Sequence, residues 1–280
     1  MDSTTTEKLY DLYSYFVFKT REKYFDDGNV NYFFDKYLFL NNSQYRVSLI
    51  YEDAQIIMAR ICKSGLKEKF IPTKIQSDIT ILKEHLLTSI NIHFDPYARI
   101  RFNMHQFIEE GGKPDINILL DDGTKKKNQI SANEFSDIFL DTFDYGNELK
   151  LLSDAQKTYV PVQFRYLSLY KWLELEFKTK GRWNDSFISF TDQVEDEFQK
   201  RNFSKKKFSN YLHDIRDKCA HIKSNSDALG VTSLSYEDEK KVIEFTKFLS
   251  IVCIEYFNQI KLKDKSCKVN FFAQQNIDLA

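Results

Sequence analysis

The chain has 280 residues, a formal net charge of −1, and 29% charged and 42% hydrophobic residues. That length suits one large domain or two ordinary ones, and the composition can bury a proper core, which excludes a disordered chain. The charge balance excludes a global basic field of the kind that marks many nucleic-acid binders. Any contact with nucleic acid would have to use a local patch.

The opening stretch "STTTEKLYDLYSYFVFKTREKYF" predicts a helix capped by Ser3 or Thr4, with Leu9, Leu12 and Phe16 on its apolar side and Asp27-Gly28 as its end. "NYFFDKYLFL" is short, apolar and ambiguous between helix and strand. Val47, Ile50, Ala54, Ile57, Met58 and Ile61 recur at three- and four-residue steps, which predicts a helical stripe closed by Gly65. A second stripe follows Pro72 with Ile75, Ile79, Leu82, Leu86 and Ile90. The texture then changes. "NIHFDPYARIRFN" and "DINILLDDG" predict extended chain with turns at Asp95-Pro96 and Asp122-Gly123. "SANEFSDIFLDTF" predicts a helix, with Ser131 and Glu134 at capping-box spacing.

Thr158 to Pro161 marks a boundary, and beyond it the pattern is wholly helical. Helices are expected over about 163–180, 186–202 and 204–223, the last capped by Ser204, and a long one follows the polar loop at Gly230. Four helices joined by short loops imply an antiparallel bundle. The expected architecture is therefore mainly α. An N-terminal, mainly helical domain with a few strands covers 1–155, a helical bundle covers 156–265, and a tail covers 266–280.

Phe and Tyr raise the aromatic fraction to 15%, but Lys, Asn and Ile are abundant beside them, as an AT-rich coding bias would produce. Base stacking is the competing reading of so many rings. Cys62, Cys219, Cys253 and Cys267 form no CxxC pair and no zinc-spaced cluster. No P-loop, HExxH or nucleophile elbow is present. No secretory signal pattern or long uncharged apolar run occurs, so the expectation is a cytoplasmic chain without membrane contact.

The stretch "YLHDIRDKCAHIK" carries the chemistry. Arg216 and His221 are separated by four residues, and Asp217 directly follows the arginine. Such a spacing is weak by itself: Arg99 and His105 form a similar pair within a stretch that reads as strand and turn. Placement separates the two, because Arg216 falls late in the third helix of the bundle and the small pair Cys219-Ala220 permits close helix packing. Upstream, "RYLSLYKWLELEF" is an aromatic-rich helix with Glu174 in its core-facing half. Together these features resemble the HEPN superfamily, the helical domains of many prokaryotic ribonucleases and toxins. "RDKCAH" fits that family's signature of Arg, a polar residue, three to five more residues, then His. The resemblance covers roughly 160–262.

The resemblance implies a metal-independent endoribonuclease that cuts single-stranded RNA by 2′-OH attack, with no cofactor. It implies a homodimer through the bundle, so that two Arg–His pairs line one cleft. It also implies a toxin or anti-phage abortive-infection effector, with an antitoxin or regulatory partner. In that scheme His221 moves the proton, Arg216 holds the phosphoryl oxygens, and Asp217 orients either neighbour by a hydrogen bond. The N-terminal domain would sense or regulate.

Lys205, Lys206 and Lys207 are expected on the motif helix, where they would track an RNA backbone or form a solvated face. His213 would be a second base, and Glu174 would face the site or pair with a core arginine. The competing interpretation is a catalytically silent HEPN module that binds a protein partner or nucleotide. There Arg216 simply pairs with Asp217 or Asp214, and His221 closes the helix.

Overall fold

The computed structural model describes residues 8–19, 22–23, 31–52, 55–93, 98–112, 124–125, 132–220, 236–265 and 267–269. Two compact units divide the chain, Met1–Phe143 and Asp144–Ala280.

The first unit is built on a sheet. Five long strands, β1 (Tyr10–Lys19), β3 (Asn31–Leu40), β4 (Ser43–Glu52), β5 (Gln55–Leu66) and β6 (Arg99–Glu109), lie in the order β3-β4-β5-β1-β6, and each neighbouring pair is antiparallel. Two short segments, β2 (Glu22–Lys23) and β7 (Thr124–Lys125), pair in parallel. The helix α1 (Thr73–His93) connects β5 to β6, and β1 fills the place between those two strands, a split β-α-β arrangement. Helix α2 (Ala132–Asp141) completes the unit, followed by a 3-10 turn at Phe143–Tyr145.

The mainly helical N-terminal domain is overturned by this sheet, and the residues explain why. In "YDLYSYFVFK" nearly every position is apolar or aromatic, so helical steps fit by coincidence. The operative period is two: Leu12, Phe16 and Phe18 are buried in the core, and Tyr13 and Tyr15 belong to a cluster on the other face. The stripe from Val47 to Ile61 likewise mixes faces. Val47, Leu49, Ala59 and Ile61 share the main core, whereas Ile50 and Met58 join Tyr15 on the opposite side. β-branched and aromatic side chains also fit a pleated surface better than a helix. Gly65 is the left-handed residue expected of it, with φ of 78°, but it serves a bulge in β5, where the register slips between Tyr10 and Leu12. The stripe from Ile75 to Ile90 is a helix, and all five of its residues are buried against the sheet. Phe135 and Phe139 of α2 close that core against Phe34. β6 matches the extended reading from Arg99 onward, whereas Asn91, Ile92 and His93, also read as extended, are the end of α1. Ser3, Thr4, Asp27-Gly28, Asp95-Pro96, Ser131 and the "DINILLDDG" segment lie outside the described residues.

The second unit is helical apart from a two-stranded hairpin. Its elements are α3 (Gly146–Gln156), α4 (Val162–Phe177), β8 (Lys178–Thr179), β9 (Arg182–Trp183), α5 (Asp185–Lys200), α6 (Phe208–Ala220) and α7 (Tyr236–Ile260). Asn184 caps α5 by accepting the Phe187 N–H at 3.1 Å. The core is a run of rings contributed by four helices. Tyr166 and Trp172 of α4, Phe198 of α5, Phe208 of α6 and Phe245 and Phe257 of α7 are all fully buried. The Tyr166 hydroxyl donates to the Leu212 carbonyl at 2.6 Å and ties α4 to α6. Among the described residues no helix is long and apolar enough to cross a membrane.

Candidate functional site

The motif helix α6 starts later than its sequence pattern suggests. Lys205, Lys206 and Lys207 precede it, in the turn that leads to Phe208, and do not lie on it. Two side chains fix this start. The Glu195 carboxylate of α5 accepts the Phe208 N–H at 2.9 Å and so caps the helix from a neighbouring element. Ser204 does not cap it. Its hydroxyl accepts the Lys206 N–H at 3.1 Å within the turn. Lys206 itself reaches forward to Asp214, Nζ to Oδ2 at 2.5 Å.

Arg216 stands in the last two turns of α6, and α6 is described as far as Ala220. His221 lies outside the described residues. Arg216 is half-exposed, and its Nη1 donates to Asp217 Oδ1 at 3.0 Å, which raises the guanidinium pKa. Tyr170 and Glu174, one turn apart on α4, add to the field around it.

Tyr170 links the two helices. Its hydroxyl is hydrogen-bonded to Nδ1 of His213 at 2.8 Å, and His213 lies one turn before Arg216. Burial first, and the Glu174 carboxylate second, push the Tyr170 phenol up to about 12. The phenol is therefore neutral and hydrogen-bonding throughout the physiological range. Trp183 of the hairpin stands edge-on to both rings, at centroid distances of 6.1 Å from Tyr170 and 5.9 Å from His213. Phe187 stacks on Trp183 at 4.0 Å. Lys178 salt-bridges Glu174 at 2.5 Å and sits 4.7 Å from the Trp183 centroid, so the hairpin supplies one more cation to the same seam.

A single neighbourhood thus holds Tyr170, Glu174, Lys178, Trp183, His213, Arg216 and Asp217. Sequence reasoning singled out Glu174, His213, Arg216 and Asp217 but missed Tyr170, Lys178 and Trp183. For Tyr170 a signal existed, since it precedes Glu174 by one helical turn in the aromatic-rich helix. The hairpin that carries Trp183 had none beyond Gly181, whose φ of 79° closes its turn. The Glu174–Lys178 pair also borders a groove of about 650 Å³ between α3 and α4, lined further by Leu151, Asp154, Lys171 and Leu175. Burial pushes the Cys219 thiol up to about 12, which leaves it protonated and a poor nucleophile. Among the described residues no cluster of three or more His, Cys, Asp and Glu side chains offers a metal site.

The Arg99–His105 pair falls on β6 in the first unit. His105 Nδ1 is hydrogen-bonded to the buried Ser14 hydroxyl at 2.8 Å, and burial lowers the imidazole pKa.

No family model matches the chain, and no curated protein or solved structure matches it.

Proposed function

We propose that the helical unit is a HEPN-like, metal-independent endoribonuclease acting on single-stranded RNA in the cytoplasm. The observation that supports this reading is the setting of Arg216. It lies at the seam of α4 and α6, one turn from a hydrogen-bonded Tyr170–His213 pair and adjacent to Asp217. Such a cation, oriented by a carboxylate, suits a phosphate diester, whose non-bridging oxygens match the guanidinium fork.

In the proposed reaction the ribose 2′ oxygen attacks the adjacent phosphorus and loses its proton. The bond from phosphorus to the 5′ oxygen breaks, and that oxygen takes up a proton. The products are a 2′,3′-cyclic phosphate and a 5′ hydroxyl. His221 carries the proton, Arg216 stabilises the charge on the phosphoryl oxygens, and Asp217 holds Arg216 in place. No cofactor takes part. Two copies of the motif face one cleft in a homodimer formed through the bundle. Lys205, Lys206 and Lys207 track the RNA backbone near the start of α6. The N-terminal unit regulates the activity, and the chain acts as a toxin or anti-phage effector restrained by an antitoxin or other regulatory partner.

A second reading is favoured by the near-neutral net charge of −1 and by the engagement of Arg216 with its neighbour Asp217. In it the bundle is catalytically silent and binds a protein partner. One experiment separates the two. Wild type, Arg216→Ala and His221→Ala are incubated with single-stranded RNA in EDTA, and the termini of the fragments are identified. The ribonuclease reading requires EDTA-resistant cleavage by the wild type alone, leaving cyclic phosphate ends. Equal cutting by all three proteins, or none by the wild type, sinks it.

A further inference from the structure

The face of the sheet turned away from α1 carries a polar cavity of about 460 Å³, within the range of small-molecule sites. Tyr37, Arg46, Cys62 and Tyr13 of one cross-strand row and Arg60 of the next line it. The first row runs Tyr37, Arg46, Cys62, Tyr13 and Gln106 across β3, β4, β5, β1 and β6. The next runs Asp35, Ser48, Arg60, Tyr15 and Met104 across the same strands. Paired residues share a face, so the rows bring two arginines and three tyrosines to one surface from four separate strands.

The β5 bulge shapes one end of the cavity. Between Leu66, opposite Tyr10, and Lys63, opposite Leu12, β5 carries one residue more than β1. Gly65 absorbs the distortion at its positive φ. As a result the consecutive residues Lys63 and Ser64 both line the cavity, which a regular strand would not allow. Asp11, the β1 residue beside the bulge, is only 8% exposed, lines the same cavity, and has an Oδ1 atom without a hydrogen-bond partner. A buried carboxylate oxygen in that state costs free energy, so Asp11 would gain from a donor brought to its exposed part in the cavity.

The cations are arranged around it. Arg46 is held by Asp35 through Nε at 2.9 Å and Nη2 at 2.6 Å, and its Nη1 takes no part in that pair. Its guanidinium lies 5.8 Å from the Tyr37 centroid. Arg60 lies 5.8 Å from the Tyr13 centroid and reaches the Ser48 hydroxyl at 3.4 Å. The cavity therefore has a cationic side formed by Arg46 and Arg60, an acceptor at Asp11 at the bulge end, where Lys63 donates to the Ser64 carbonyl at 2.8 Å, and flat aromatic walls. A bare phosphate would be drawn to the cations but repelled by Asp11 and would leave most of the volume unfilled. A ligand that satisfies both ends needs an anionic group at one and N–H donors at the other, joined by a planar ring.

We propose that this cavity binds a guanine nucleotide, with its phosphate on Arg46, the base N–H edge on Asp11, and the ring against Tyr13 and Tyr37. Guanine presents a ring N–H and an amino group side by side, which suits a carboxylate, whereas adenine presents an amino group next to an acceptor. The assignment stands independently of the ribonuclease reading.

The test is calorimetric titration of the full chain with GMP, AMP and inorganic phosphate, beside Arg46→Gln, Asp11→Asn and Tyr37→Ala. GMP is expected to bind saturably and more tightly than AMP, and inorganic phosphate more weakly than either. Arg46→Gln and Asp11→Asn should each weaken GMP binding by about tenfold or more, the loss of one charge-assisted hydrogen bond. Tyr37→Ala should weaken both nucleotides and leave phosphate unchanged. Thermal melts of the ligand-free variants check folding. Should buried Asp11→Asn fail to fold, the exposed Arg46→Gln and Tyr37→Ala decide. No saturable GMP binding at millimolar concentration, a preference for AMP, or binding indifferent to the folded variants would overturn the proposal.

Discussion

Each unit holds a histidine hydrogen-bonded to a hydroxyl at 2.8 Å, Ser14–His105 in the sheet and Tyr170–His213 in the helical unit. In both, burial favours a neutral partner. It lowers the His105 pKa in one and raises the Tyr170 phenol to about 12 in the other. Their surroundings differ. His105 lines a small cavity with Phe16, Ile79 and Asn103. The Tyr170–His213 pair has Glu174, Arg216 and Asp217 close by, and these fields reach its phenol. The bond length is the same, so the two pairs differ in the charges around them. Lys83 lines the His105 cavity, whereas the Tyr170–His213 pair has the Arg216–Asp217 ion pair beside it, the charge that the proposed phosphate contact would use.

The strongest way to break this contrast is to remove that charge. Arg216→Ala and His221→Ala should each cut RNA cleavage by about 10²–10⁴-fold, the usual value of a positioned acid, base or charge clamp. Arg99→Ala with His105→Ala should leave it unchanged. Circular dichroism and light scattering should show helical content and oligomeric state unchanged in Arg216→Ala, since Arg216 is half-exposed and its truncation opens no deep cavity. Asp217→Ala should be milder than either. Loss of cleavage in the Arg99/His105 variant would remove the distinction between the two pairs.

A second comparison concerns two tyrosine hydroxyls. Tyr45 donates to Asp78 at 2.7 Å, and Asp78 is fully buried, with Asn41 as a further donor at 2.7 Å. Tyr45→Phe strips a buried carboxylate of one partner and should cost the first unit about 1–3 kcal/mol in urea unfolding. Tyr170→Phe removes one bond to a half-buried histidine and should cost about 0.5–1.5 kcal/mol. A double-mutant cycle with His213→Gln would show whether that bond accounts for the loss. Equal costs for the two tyrosines would mean that burial of the acceptor does not set the penalty.

The smallest effect concerns pH. The folded pKa of His105 lies below its unfolded value of 6.5, so the unfolded state binds the proton more readily. The stability of the first unit is unpenalised above that value and declines as pH falls below it toward the folded pKa. The melting temperature of the wild type should therefore drop between neutral pH and about pH 5 more than that of His105→Gln. Parallel pH profiles for the two proteins would rule out a contribution from His105.

The sequence by itself determined the helices from α4 onward, though not α3 or the hairpin that belong to the same unit. From Val162 to Ile260 apolar residues recur with helical spacing and few breaks, and each helix buries the face that this period marks. Local order and packing agree there, so Arg216, Asp217, His213 and Glu174 could be singled out from their positions on helices. The start of α6 escaped because its cap comes from Glu195, a residue of another helix. The first unit was decided by tertiary structure. The face of its sheet opposite the core carries Tyr13, Tyr15, Ile50 and Met58 among its charged residues, so the alternation that marks a half-exposed strand is blurred and helical steps fit by chance. Only pairing across the sheet reveals that Val47 and Ile50 face opposite ways. The same holds for the cavity of Asp11, Arg46 and Arg60. Its members come from different strands and become neighbours through register, a quantity set by hydrogen bonds between strands and by the Gly65 bulge, with no counterpart in local spacing.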